Sequence, residues 1–248
     1  MGNNKREVKE MSQWLKDLEV TGKREDGVKT ARILYLYPST TTHNLIDKIA
    51  DSKVFVNYFD MPLQHISQNM LKIMKRGKGA EKLIELMKYM KLKPNSFVRT
   101  TFISGHPGER EEDFEELCEF VEDFGFDRGN VFSYSDEEGT SAETRDDKIE
   151  QELIDERAEI LGDIISQTTI KSLENDVGKT FEVYIDGQSD EHEYLLSARK
   201  TLWAPQIDGE IYINDNEKEL PIIFGEIYEV EATQLAGNIL LAKILRKI

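Results

Sequence analysis

Residues 99–109 read RTTFISGHPGE and run directly into the acidic stretch REEDFEELCEFVEDF. Val98, Thr100, Thr101, Phe102 and Ile103 form a β-branched and aromatic run, Gly-x-Pro-Gly-Glu interrupts it, and the apolar residues then recur at helical spacing. That order predicts a buried strand, a tight turn and a helix. Such a βα unit belongs to sheets and barrels whose strand-to-helix turns lie at the carboxyl ends of the strands, where ligands bind. Gly105 and Gly108 have no side chain to hold a ligand away from the backbone, so the turn is expected to admit one closely.

The alternation recurs along the first half of the chain. An amphipathic helix is expected through Val8, Met11, Leu15 and Leu18. RILYLYP (32–38) is apolar throughout, as a strand covered on both faces is, and Pro38 stops it before a short helix with Leu45, Ile46 and Ile49. KVFVNYFDMP leads to Ser67, an N-cap, and a helix with Met70, Leu71 and Met74. Residues 79–92 form another helix, and DRGNVFSYS (127–135) is a fourth strand ending in the loop DEEGTSA. Four strands alternating with helices predict a mostly parallel α/β sheet or an open barrel, because four are too few to close one.

Residues 144–175 read as one long helix bridging two domains. After Gly178 the apolar period changes to two. TFEVYID, EYLLSARK, EIYIN, EIYEVEAT and ILLAKILR predict a five-stranded all-β barrel. The expected division is a partial barrel over 1–143, a linking helix over 144–175 and a small barrel over 176–248.

Charge is distributed unevenly: the net charge of −16 divides into +8 over residues 1–108, −17 over 109–163 and −7 over 164–248. Nucleic-acid-binding modules concentrate Lys and Arg. The second half of this chain does the reverse, and Glu182, Glu229 and Glu231 are expected to face outward from the small barrel. A basic protein partner fits this better than RNA, although acidic helix faces also serve solubility alone. No apolar run approaches the ~18 residues of a membrane span. The amino terminus lacks the apolar segment of a signal peptide, so a soluble, cytoplasmic protein is expected. Cys118, the one cysteine, shares a helical face with Phe114, Leu117, Val121 and Phe124 and is expected in the core. A single thiol cannot hold an iron–sulfur cluster, and His43, His65, His106 and His192 show no metal-type spacing.

Four segments carry a family resemblance: YFDMPLQHISQNMLKIMKRG (58–77), RTTFISGHPGEREEDF (99–114), FDRGNVFSYSDEEGTSA (126–142) and WAPQIDGEIYIND (203–215). From about Ala31 to Ile248 the chain resembles the radical S-adenosylmethionine methylthiotransferases. The last segment is most similar to the branch that modifies an aspartate of ribosomal protein S12, rather than the branch that acts on tRNA. The resemblance implies a radical-SAM-type (β/α) partial barrel followed by a TRAM domain. It also implies S-adenosylmethionine and [4Fe-4S] clusters as cofactors, with reductive cleavage of the former generating a 5′-deoxyadenosyl radical. This chain departs from the pattern in containing no CxxxCxxC. By that comparison it begins within the family's barrel, without the first two strands, the amino-terminal domain or the cluster ligands, and is expected to be inactive alone. The alternatives are a fragment of a tRNA methylthiotransferase, or a stand-alone TRAM-containing module that binds a basic ribosomal protein or RNA.

Side chains at the carboxyl ends of barrel strands face the site. Carried onto this sequence, the resemblance selects Gln64, His65, Ser104, Gly105, Pro107, Gly108, Tyr134 and Ser135 as cofactor-facing, with Tyr37 and Ser39 after the first strand. His106 stands where many members have phenylalanine. Structural readings stand beside these: glycines that serve only the turn, Gln64 and His65 as partners of backbone groups before Ser67, and Arg99 and Arg128 as surface cations. In the small barrel Trp203, Asp208 and Glu210 are the candidates for partner recognition, against a packing role for Trp203 and solvation of the two carboxylates. The first strand, with Ile33, Leu34, Tyr35 and Leu36, is expected to expose an apolar edge and to promote self-association.

Overall fold

The computed structural model describes residue 17 and residues 28–77, 79–216 and 219–248. The helix expected through Val8, Met11, Leu15 and Leu18 lies outside the described residues. The chain divides into two compact units, one ending at Thr168 and one spanning Thr169–Ile248.

Four parallel strands form the sheet of the first unit in the order β1-β2-β3-β4, with β1 Ala31–Ile33, β2 Phe55–Asp60, β3 Phe97–Ser104 and β4 Arg128–Ser133. Helix α1 (His43–Ala50) follows β1, α2 (Gln68–Ile73) and α3 (Ala80–Lys91) follow β2, and α4 (Glu111–Phe124) follows β3. Helix α5 (Gln151–Glu174) follows β4. Alternation along the strands sorts their side chains into two faces. Phe55 and Phe59 of β2 and Val98 and Phe102 of β3 are buried in one core with Leu83 and Met87 of α3, Leu117 and Val121 of α4, and Leu161 and Ile165 of α5. The opposite face carries Tyr58 stacked on Phe97, with ring centroids 5.3 Å apart, and then Arg99, Thr101 and Ile103. Caps set the helix starts: Thr42 accepts from the Leu45 N–H at 3.3 Å, and Ser67 accepts from the Met70 N–H at 3.3 Å.

Two elements differ from expectation. The run 32–38 is not one strand: β1 stops at Ile33, because Tyr35 adopts φ +74° and leaves the extended region. Asp60 holds it there, its carboxylate accepting from the Tyr35 N–H at 3.3 Å and its carbonyl from the Leu36 N–H at 2.6 Å. The run is also not covered on both faces, since Leu34 and Tyr35 are 49% and 56% exposed. The long helix begins at Gln151 rather than at 144. Residues 144–150 stay irregular because the Asp147 carbonyl accepts from the Gly108 N–H at 3.1 Å, while Arg145 pairs with Asp147 and Lys148 with Asp136.

The second unit is a closed five-stranded barrel, in the order β5-β6-β7-β9-β8, made of β5 Thr180–Gln188, β6 Leu196–Lys200, β7 Ile211–Asp215, β8 Ile227–Ala236 and β9 Ile239–Lys247. All pairings are antiparallel except β7 with β9. Val183, Ile185, Ile211, Val230, Leu240 and Ile244 fill its interior. The acidic residues of β8 do not form an unbalanced face: Glu229 pairs across the ladder with Arg246 at 2.8 Å, and Glu231 with Lys243 at 3.3 Å.

Candidate functional site

The turn between β3 and α4 is shaped by two left-handed glycines, Gly105 at φ +81° and Gly108 at φ +88°. The space a Cβ would take at Gly105 is filled by Ile154 of α5, at 2.6 Å. At Gly108 it is filled by Arg145 and Ile73, both at 2.9 Å. These glycines therefore admit neighbouring parts of the same chain, a structural role beside the ligand approach expected of them.

A single buried carboxylate organises the turn from behind. Glu109 accepts from the Gly105 N–H at 2.9 Å and from Arg157 of α5 at 2.8 Å, and its other oxygen lies 3.2 Å from His65 Nε2. His65 Nδ1 accepts from the Ile66 and Ser67 N–H groups at 2.9 and 3.0 Å, so the ring proton sits on Nε2 and is donated to Glu109. The His65 and Glu109 side chains are fully buried, and Arg157 extends the chain to Glu111 at 2.7 Å. Asp113 makes a second link: it accepts from Ser67, from Asn69 at 2.8 Å and from the Arg110 N–H at 3.1 Å. Burial works to raise the Asp113 carboxyl, but the hydrogen bonds from Ser67, Arg110 and Asn69 outweigh it and hold the group at about 2. The segment after β2, the turn after β3 and helix α5 are thus tied together.

In front of that frame, at the carboxyl ends of β3 and β4, lies a cavity of about 600 Å³. Gln64, Thr101, Ile103, His106, Phe132 and Tyr134 line it, together with the charged or polar Lys75, Arg76, Ser135 and Glu137. Gln64 is held at φ +70° by backbone hydrogen bonds to Thr101 and Ile103. The His106 ring meets Tyr134 edge to face at 5.0 Å, and burial lowers its pKa. Burial, with the hydrogen bond to Asp136, pushes the Tyr134 hydroxyl up to about 12. A volume of this size, mixed in polarity, suits a small organic ligand such as a nucleoside derivative.

The sequence candidates are distributed around this geometry. Gln64, Tyr134 and Ser135 line the cavity; Gly105 and Pro107 border an adjoining hollow of about 360 Å³. His65 and Ser104 are fully buried behind the turn, the former within the Glu109 network. Tyr37 lies 6.0 Å from the Arg76 guanidinium, and Ser39 is close to Gly77. Arg99 is not a surface cation: it is half-buried and paired with Asp60 at 3.2 Å. Arg128 is half-buried, over the Phe97 ring at 6.0 Å. In the small barrel Trp203 and Asp208 are each 1% exposed, and the Asp208 carboxylate accepts from the Ala204 N–H at 2.7 Å. Their side chains have no surface to offer a partner, and Asp208 is not solvated. Glu210 is exposed.

Sequence reasoning missed Glu109 and Arg157 as the frame, and Thr101, Ile103 and Phe132 as walls. Glu109 closes the quoted turn, and the period-two pattern of β3 could have found Thr101 and Ile103. Arg157 carried no local signal, because it meets Glu109 across 48 residues.

The family model of the radical SAM superfamily matches residues 7–121, and that of the TRAM domain matches residues 177–245. The ribosomal protein uS12 methylthiotransferase RimO of Aliarcobacter butzleri is 71% identical over 246 residues, 95% of this chain. The chain thus carries radical SAM and TRAM domains and is similar over most of its length to uS12 methylthiotransferases. The RimO proteins of a Sulfurovum species and of Campylobacter jejuni are 58% and 51% identical, each across 90% of this chain. The chain spans about half the length of these curated relatives: 55%, 50% and 50% respectively. The family's cofactors fit the chain unequally. The cavity suits the nucleoside of S-adenosylmethionine. A [4Fe-4S] cluster does not fit the side chains present: no group of three or more His, Cys, Asp or Glu among the described residues is placed to hold a metal. Cys118 lies against the core, and burial raises its thiol to about 11. No described helix is long and apolar enough to cross a membrane.

Proposed function

We propose that this chain is the carboxyl-terminal portion of a radical SAM methylthiotransferase that acts on an aspartate of ribosomal protein uS12 in the cytoplasm. In this reading it supplies one wall of the S-adenosylmethionine site and the TRAM domain. The observation that carries it is the cavity at the carboxyl ends of β3 and β4, backed by the turn 104–109, in a chain so similar to the RimO proteins. In the family's chemistry S-adenosylmethionine would yield its carbon radical only on one-electron reduction by a [4Fe-4S] cluster, for which the single cysteine of this chain provides no ligand set, so the chain alone is proposed to bind the cofactor without cleaving it. Gln64, Tyr134 and Ser135 then contact it, Gly105 and Pro107 shape the turn beside it, and His65, Ser104 and Gly108 support that turn. The proposed division is a partial barrel to residue 143, a linking segment to 175 that is helical from Gln151, and a TRAM domain from 176.

The partner is basic uS12 rather than RNA, because residues 109–163 carry −17 and residues 164–248 carry −7. Exposed Glu210 belongs to the surface proposed to meet it. Binding of purified uS12 and of tRNA, each at about 0.05 and about 0.5 M salt, tests the reading. Binding to uS12 that weakens with salt is expected, and preference for tRNA would overturn it.

A further inference from the structure

His106 lines the cavity, and two contacts fix its ring. Nδ1 lies 2.9 Å from the Pro107 carbonyl, and the ring stands edge to face with Tyr134 at 5.0 Å and 65°. A carbonyl oxygen only accepts, so Nδ1 must carry the proton. In the neutral ring Nε2, on the opposite edge, is then a bare acceptor, and no described residue donates to it.

We propose that His106 offers Nε2 as a hydrogen-bond acceptor to a donor of the nucleoside bound in this cavity, either the amino group of adenine or a ribose hydroxyl. The proposal rests on the reading that the cavity takes S-adenosylmethionine. It makes His106 a binding residue that reads the ligand's hydrogen-bonding pattern, a role phenylalanine at this position cannot fill. Burial favours the neutral ring that the role requires, as does the positive charge of Arg145; the hydrogen bond to the Pro107 carbonyl and the charge of Glu109 oppose them without reversing the downward shift. The other charged or titratable groups facing it are His65 from behind, Asp147 from the loop before α5 and Tyr134 with Asp136 in front.

The test is a double-mutant cycle between protein and ligand, read by calorimetric titration of the whole chain. S-adenosylhomocysteine, its N6,N6-dimethyl analogue and its ribose-dideoxy analogue are each titrated into wild type, His106→Phe and His106→Gln. Circular dichroism confirms that each variant is folded. His106→Phe is expected to weaken S-adenosylhomocysteine about tenfold, the worth of one hydrogen bond in a desolvated site. It should leave unchanged the affinity for whichever analogue lacks the recognised donor, which also identifies that donor. His106→Gln, which keeps an acceptor, is expected to recover part of the loss. Equal weakening of all three ligands by His106→Phe, or no weakening, would overturn the proposal while leaving the cofactor reading intact. Failure of wild type to bind any of the three would overturn the cofactor reading, and this inference with it.

Discussion

At the scale of single residues, Asp113 shows how one carboxylate joins two segments. It is 3% exposed, and its bonds to Ser67, Asn69 and Arg110 are strongest while it is ionised. Its folded-state pKa of about 2 lies below the ordinary value of 3.8, so its contribution is present above that value and is lost as pH falls through about 2. The shift corresponds to about 2 kcal/mol. Urea titrations between about pH 5 and pH 2 should therefore lose roughly that much more stability in wild type than in Asp113→Asn. Equal pH dependence in the two proteins would show that Asp113 does not tie the turn as described. Gly105 offers the contrasting lesson. Its glycine was readable as a turn residue, yet the reason no side chain is tolerated, Ile154 at 2.6 Å, lies far along the chain.

At the scale of elements, helix α5 is the buttress of the cavity-side turn through Ile154 and Arg157. Breaking the buried Glu109–Arg157 pair from one side, as Arg157→Met does, leaves a carboxylate uncompensated and is expected to cost about 3–5 kcal/mol. The double variant Glu109→Gln with Arg157→Met is expected to cost less than the sum of the single changes, as coupled neighbours do. Denaturant midpoints of the four proteins check this, and strict additivity would refute the coupling. What was legible in the sequence follows the same division between local and distant causes. Strands β5 to β9 could be read because alternation and the Gly, Asp and Asn turns between them act over a few residues. The end of β1 at Ile33 could not, because the left-handed turn at Tyr35 is set by Asp60 from the neighbouring strand. The start of α5 was misplaced because the Gly108 N–H holds the Asp147 carbonyl outside the helix. The partner candidates Trp203 and Asp208 illustrate a related point: composition showed an aromatic and a carboxylate, but only the folded chain shows that both are buried in the connection between β6 and β7.

At the scale of the molecule, the two units treat their sheet edges differently. Closure of the second removes its edges, whereas among the described residues β1 ends the open sheet of the first, and of the residues just after it Leu34 and Tyr35 are exposed while Leu36 is buried. Concentration-dependent self-association of the isolated chain is expected from this apolar edge. Light scattering coupled to sizing measures it, and Leu34→Lys should reduce it. A monomer at every concentration would remove the edge as a cause of association.

The clasp between Glu109 and Arg157 also bears on how the protein is made. Its two ends are 48 residues apart, so the turn leaves the ribosome well before the helix that secures it. Non-local contacts of this kind must await loop closure, and they form late in folding. The cavity in front of the turn should therefore mature only after α5 has docked, and a nascent chain arrested before Arg157 should carry the turn 104–109 without the buttress behind it.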